Sequence, residues 1–239
     1  MKKILITRKL IQSSEEYASK IFEVKLNKKD ELLTSEELIS KSSDCDGILS
    51  SITDIFNANI ILKLSSKIKI ISNFAVGFGN IDTKAAAKKN IVVTNTPDVL
   101  TDATAEIAIL VLLGAARRAK EGMDYARKQN WKWSSHFLMG KQLTGANLGI
   151  LGMGRIGRAV ADRARSFGMK IHYFNRSKLN KDLEKDATYH KSLQSLLSVS
   201  NFFSINCPAT KETKHIINEE TLKYFPDGAV ISNSARGDM

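Results

Sequence analysis

The residues with the clearest chemical use are Gly152, Gly154 and Gly157, spaced G-x-G-x-x-G within Leu148-Gly149-Ile150-Leu151-Gly152-Met153-Gly154-Arg155-Ile156-Gly157. Apolar residues precede the triplet and a helical pattern runs from Arg158 to Phe167, so the glycines fall where a buried strand turns into a helix. In that setting Gly152 permits the tight turn, Gly154 lets a pyrophosphate approach bare backbone, and Gly157 lets helix and strand pack closely. The helix N-terminus at Arg155 and Ile156 supplies N–H groups and the positive end of the dipole to the anion. The competing reading is a glycine-rich turn that holds no ligand.

About twenty positions past such glycines, a dinucleotide site usually carries an acidic residue that bonds the ribose 2′-hydroxyl. This chain has Asn175, Arg176 and Ser177 there. With no carboxylate to repel a 2′-phosphate and a guanidinium able to grip it, NADP(H) is favoured over NAD(H). An arginine at a strand end also serves as plain surface. Two further loops follow apolar strands and so belong to the same ligand-binding edge of a parallel sheet. One holds Asn206, Cys207 and Pro208, a wall beside the ribose or simply the end of a strand. The other holds Asn233, Ser234, Ala235 and Arg236, a guanidinium able to clamp a small carboxylate or to sit in a surface ion pair. Earlier, Asn73-Phe74-Ala75-Val76-Gly77-Phe78-Gly79-Asn80-Ile81-Asp82 takes a strand through a glycine turn. Its free N–H groups could hold an anion; an ordinary loop that glycine merely permits is the plainer reading.

The elements that must carry these residues alternate strand and helix. Residues 3–7, 22–26, 47–51, 68–73 and 91–94 read as strands, with helical patterns near Glu15, Glu36, Ile60 and Lys84. A long helical stretch from Leu100 to Gln129 follows, then strands at 148–151, 170–174, 201–206 and 229–232. The fold class is therefore α/β, with two parallel-sheet domains and a seam at residues 95–98, where Pro97 interrupts helix and sheet bonding. The tryptophans of 130–140, Trp131 and Trp133, either cover a partner subunit or pack on their own domain.

Composition narrows the classes. A chain of 239 residues with 43% hydrophobic content can bury a full core. The most apolar run, 107–113, is bracketed by Glu106 and Arg117 well short of a bilayer span, and Arg8 and Lys9 interrupt anything like a signal peptide. A soluble cytoplasmic protein without membrane contact is expected. Cys45 and Cys207 are too isolated for a disulfide framework, and His136, His172, His190 and His215 show no metal-ligand spacing, so no metal is expected. The net charge of +11 is spread among interleaved acids rather than gathered into a basic arm. That argues against nucleic-acid binding and for a solvated surface that attracts anionic ligands.

Taken together these segments resemble the D-isomer-specific 2-hydroxyacid dehydrogenases, most closely the glyoxylate/hydroxypyruvate reductase branch. The resemblance runs along nearly the whole chain, through 75–82, 96–106, 152–157, 206–213 and 233–238 in the family's order. It implies two Rossmann-like domains: a flavodoxin-like substrate domain at 1–97 and an NAD(P)-binding domain at 98–239. It implies that the backbone at Val76 and Gly77 holds the substrate carboxylate and that Thr104 lies beside the nicotinamide. Thr213, Ser234 and Ala235 join the coenzyme site, and Arg236 binds the 2-oxo acid and polarises its carbonyl. A hydride then passes between the nicotinamide and C2 of a small 2-oxo or 2-hydroxy acid. In the family a histidine proton donor and its glutamate follow the arginine segment, and none of the four histidines here matches that histidine. The expectation is a C-terminally shortened homodimeric member with an incomplete second domain. Phosphoglycerate dehydrogenase is the alternative within the enzymes; a non-catalytic nucleotide-binding module or an inactive gene fragment is the alternative outside them.

Overall fold

The computed structural model describes residues 1–128 and 132–239, which divide into two compact units, 1–99 and 100–239. The first holds β1 (Lys3–Ile6), α1 (Gln12–Ile21), β2 (Glu23–Leu26), α2 (Ser35–Lys41), β3 (Gly47–Ser51), α3 (Ala58–Lys63), β4 (Ile70–Phe74), α4 (Thr83–Lys88) and β5 (Val92–Thr94). All strand pairs are parallel, in the order β2-β1-β3-β4-β5. A parallel sheet covered by helices must be apolar on both sides, which is why the strands read as short continuous runs such as KILI. Leu5, Ile48, Ile61, Ile71 and Phe56 fill the core. Three helices start on side-chain caps whose oxygens accept first-turn backbone N–H groups: Thr34 with Glu37, Asn57, and Asp82.

The second unit holds α5 (Thr101–Ala116), α6 (Ala119–Ala126), β6 (Asn147–Leu151), α7 (Arg155–Ser166), β7 (Lys170–Phe174), α8 (Lys181–Glu184), β8 (Thr188–Tyr189), α9 (Leu193–Leu197), β9 (Phe202–Ile205), α10 (Glu219–Leu222) and β10 (Val230–Asn233). Its strands, again parallel, run β10-β9-β6-β7-β8. The chain moves outward from β6 on one side, then returns to lay β9 on the other, so β6 and β9 flank a topological switch point. Alternating side chains feed two cores: Leu148, Ile150 and Phe202 meet α5 and α7, while Leu151, Phe203 and Ile205 meet α9. Small residues on α7, Gly157, Ala161 and Ala164, let it lie close to Ala105 and Ala108 of α5.

Two points of the sequence reading need correction. The stretch expected as one long helix is two, because Arg118 adopts a left-handed φ of 52°. The Ala116 carbonyl that would continue the helix instead accepts the Lys141 amide at 2.8 Å, and the returning chain passes so close that only Gly140 fits there. Strand β8 escaped the sequence reading because two residues give no alternation to detect. Gln129, the expected end of the helix, and Trp131 lie outside the described residues; Trp133 is exposed. No described helix is long and apolar enough to cross a membrane.

Candidate functional site

The glycine elbow sits at the switch point, at the C-terminal end of β6. Gly152 takes φ +92°, and a β-carbon on it would stand 2.6 Å from the Cys207 amide nitrogen, so only glycine lets β6 turn beside the chain leaving β9. A β-carbon on Gly157 would strike the Gly152 carbonyl oxygen. Gly154 differs: nothing lies within 4 Å of the place its β-carbon would occupy. As N-cap of α7 it brings no side chain to the helix, so no cap side chain competes with an anion for the N–H groups of the first turn. A pyrophosphate thus fits the elbow by shape and by charge.

The loop after β7 is held at both ends. Asn175 accepts the Met153 amide on Oδ1 at 2.7 Å, which ties this loop to the elbow. At the other end the fully buried Tyr173 hydroxyl accepts the Leu179 amide at 3.1 Å and donates to Glu184 at 2.7 Å. Burial, then the bond to Glu184, pushes the tyrosine up to about 12. Glu184 also pairs with Lys178 at 3.4 Å, whereas Arg176 and Ser177 are exposed in the loop between. No carboxylate occurs from Asn175 to Asn180.

The loops after β9 and β10 modify three sequence expectations. Cys207 borders the elbow through its backbone, but its thiol is buried 3.7 Å from the Met239 sulfur, and burial pushes the thiol up, away from reactivity. Thr213 turns its hydroxyl inward, donating to the Pro208 carbonyl at 2.8 Å and accepting the Thr210 amide at 2.7 Å, so it shapes the loop. Pro208 itself is exposed. Ser234 donates weakly toward the Ile205 carbonyl and Asn206, linking the two loops. Asn233 makes the next turn by accepting the Ala235 amide and donating to the Arg236 carbonyl. The Arg236 guanidinium is exposed and folds back onto the Ala235 carbonyl at 2.8 Å rather than reaching across the edge.

Thr104 lies in the first turn of α5. Asp102 and Glu106 reach Arg163 of α7 at 3.0 and 3.4 Å. Helical spacing puts Thr104 on the opposite flank of the buried Ala105, Ala108 and Leu112 stripe, facing away from α7.

The first unit has a loop after β4 whose carbonyls are tied back. Three successive carbonyls are taken: Ala75 by the Thr96 amide at 3.0 Å, Val76 by Asn95 Nδ2 at 2.8 Å, and Gly77 by Asn73 Nδ2 at 2.9 Å. The N–H groups of Val76 and Gly77 have no partner among the described residues. The family resemblance names these two but not Asn73, Asn80 and Asn95 beneath them. The available signal was weak: asparagines at the ends of strands that bracket a glycine turn.

Fold and elbow together define a dinucleotide-binding oxidoreductase domain. A family model described as D-isomer specific 2-hydroxyacid dehydrogenase, NAD binding domain, matches residues 109–239. Over its whole length the chain is 41% identical to the glycerate dehydrogenase of Hyphomicrobium methylovorum, covering 75% of that protein. It is 38% identical to the glyoxylate reductase of Thermococcus litoralis, with 98% of this chain and 72% of that one aligned. The crystal structure of a glyoxylate reductase from Paecilomyes thermophila superposes with a TM-score of 0.88 at 34% identity, covering 99% of this chain and 74% of that one. The chain belongs to the D-isomer specific 2-hydroxyacid dehydrogenases, and its second unit carries their NAD(P)-binding fold.

Proposed function

We propose that this protein uses NADP(H), in preference to NAD(H), to reduce a small 2-oxo acid of the glyoxylate or hydroxypyruvate type to the D-2-hydroxy acid. Residues 1–97 form the substrate domain and 98–239 the coenzyme domain. The observation that carries the substrate half is the loop after β4, whose carbonyls are tied back while the Val76 and Gly77 N–H groups stay free. Neutral backbone dipoles in that arrangement bind a carboxylate without fixing a counter-charge. The coenzyme half rests on the open space at Gly154 and on a β7–α8 loop that has Arg176 and no acid.

When bound, the coenzyme supplies the hydride. Gly152, Gly154 and Gly157, with the amides of Arg155 and Ile156, hold its pyrophosphate. Asn175, Arg176 and Ser177 face the 2′-phosphate, and the backbone of Cys207 and Pro208 walls the ribose. Thr213 keeps that wall in shape, while Thr104, Ser234 and Ala235 border the nicotinamide end. Arg236 unfolds from Ala235 to grip the 2-oxo acid, which orients C2 toward the hydride and draws charge onto the carbonyl oxygen. A homodimer is supported by the outer face of α5, where Ile107, Leu110 and Val111 are exposed. Alignment of nearly the whole chain with named enzymes disfavours a non-catalytic module.

Fluorescence titration tests the coenzyme half: NADPH is expected to bind roughly tenfold or more tightly than NADH, the difference of about one charge-assisted contact. No binding of NADPH overturns it. Failure of the natural polypeptide to oxidise NADPH with either glyoxylate or hydroxypyruvate overturns the substrate half.

A further inference from the structure

We infer that Asn73, Asn80 and Asn95 are positioning residues that orient three successive peptide planes, turning the N–H groups of Val76, Gly77 and Phe78 toward one carboxylate. The inference rests on the proposed role of this loop as the substrate-carboxylate site.

In a trans peptide the N–H of one residue points opposite to the C=O of the residue before it. Every peptide described here is trans. Fixing a carbonyl therefore fixes the following N–H. The Thr96 amide on the Ala75 carbonyl sets Val76 N–H; Asn95 Nδ2 on Val76 sets Gly77 N–H; Asn73 Nδ2 on Gly77 sets Phe78 N–H. The Thr96 and Asn95 donors both follow β5 and the Asn73 donor ends β4, so the three N–H groups are all turned away from the β4–β5 edge.

Asn73 cannot adopt another orientation. It is fully buried and pairs reciprocally with Asn80, amide to amide, at 3.1 and 3.3 Å. Ser50 donates to its Oδ1 at 3.1 Å, so exchanging Oδ1 and Nδ2 would set oxygen against the Gly77 carbonyl. Asn80 in turn donates to the Ser51 and Asp54 carbonyls at 3.1 and 2.9 Å. The far side of the loop is clamped as well, by Phe56 N–H on the Asn80 carbonyl at 2.7 Å and Asp82 N–H on the Phe56 carbonyl at 2.8 Å. The amide side chains explain why this works for an anion. They supply donors and an acceptor at one buried point with no charge, and neither Lys nor Arg occurs between Ser72 and Thr83. The carboxylate is recognised by preset dipoles that need not reorganise when it arrives.

The test is an NMR titration of the ¹⁵N-labelled protein with sodium oxamate, a 2-oxo acid analogue, with and without NADPH. In the natural protein the Val76, Gly77 and Phe78 amides are expected to shift together and saturate. Asn95→Ala, at a partly exposed position, removes one neutral hydrogen bond. It should weaken oxamate roughly three- to tenfold and silence chiefly the Gly77 response, with NADPH affinity unchanged. Asn73→Asp places an oxygen against the Gly77 carbonyl and should weaken oxamate at least about tenfold while silencing Phe78. If Asn73→Asp does not fold, Asn95→Ala carries the test by itself. Oxamate that moves none of the three amides in the natural protein defeats the carboxylate reading. Oxamate that moves them equally in natural protein and variants defeats the positioning role and leaves the carboxylate reading standing.

Discussion

Gly152 and Cys207 lie so close that a β-carbon on the first would stand 2.6 Å from the backbone nitrogen of the second. The contact joins the turn after β6 to the chain leaving β9, across the crevice where the strand order reverses. Gly154, two residues on, meets nothing. The same substitution should therefore fail in two different ways. Gly152→Ala combines a disfavoured positive φ with a backbone clash and should cost about 2–5 kcal/mol of stability. Gly154→Ala should leave the melting temperature nearly unchanged but weaken NADPH roughly ten- to a hundredfold, because its methyl occupies the pyrophosphate's space. Thermal melts paired with fluorescence titration separate the two, and equal melting temperatures would contradict the assignment of Gly152.

Arg176 stands exposed in a loop whose other cation, Lys178, is engaged by Glu184. The Glu212 carboxyl is held below the usual range, first by the Thr210 side chain, with a smaller contribution from the nearby Arg176 charge. Removing Arg176 disturbs no core contact. Arg176→Ala should weaken NADPH roughly ten- to a hundredfold and leave NADH within about twofold, since only the 2′-phosphate loses its partner. Parallel titrations check it; equal losses for both coenzymes would place Arg176 outside the 2′-phosphate site.

Tyr173 holds that loop from inside. Its hydroxyl satisfies the Leu179 amide and one oxygen of the buried Glu184. Tyr173→Phe keeps the ring but strands both partners, and should cost about 1–3 kcal/mol in urea unfolding. NADPH affinity should fall with it, while oxamate binding in the other unit should not. A variant as stable as the natural protein would mean that Glu184 finds another donor.

What the sequence disclosed depended on how local each signal was. The elbow was readable because three glycines, a strand and a helix are contiguous, and Gly152 and Gly157 each answer a separate steric demand. Strand alternation disclosed both parallel sheets for the same reason. The orientation of Thr213 and Cys207 was not readable: order along the chain says which loop follows a strand, not which way a side chain turns within it. Asn73, Asn80 and Asn95 were hidden more deeply. Their partners, Ser50, Gly77 and Val76, are brought together by the registers of β3 with β4 and β4 with β5. An amide has no characteristic spacing to betray it. Arg118 likewise carries no mark of its left-handed turn, which the returning chain at Gly140 imposes from outside the helix.

The His172–His190 contact gives a pH dependence whose direction follows from its hydrogen bonds. Ser195 Oγ gives its proton to the Ser192 carbonyl at 2.9 Å, so it can only accept from His190 Nδ1, 3.1 Å away. His190 Nε2 is then the acceptor, and His172 Nδ1 donates to it across 3.0 Å. His190 must be neutral, since a proton on its Nε2 would set two donors face to face. Burial holds His172 below the ordinary histidine range, helped by His190 and by Lys170 on the same strand; burial lowers His190 too, against a bond to Ser195 that raises it. The folded state therefore binds fewer protons than the unfolded chain once pH drops below about 6.5. The stability this pair contributes is present above that pH and is lost as pH falls through the lower folded values. Urea midpoints at pH 7.5 and 5.5 should decline for the natural protein and decline less for His172→Gln, whose amide can still donate to His190 but cannot itself titrate. Equal declines in the two would assign the acid sensitivity to other groups, because among the hydrogen-bonding partners of this cluster only the two imidazoles change charge in that window.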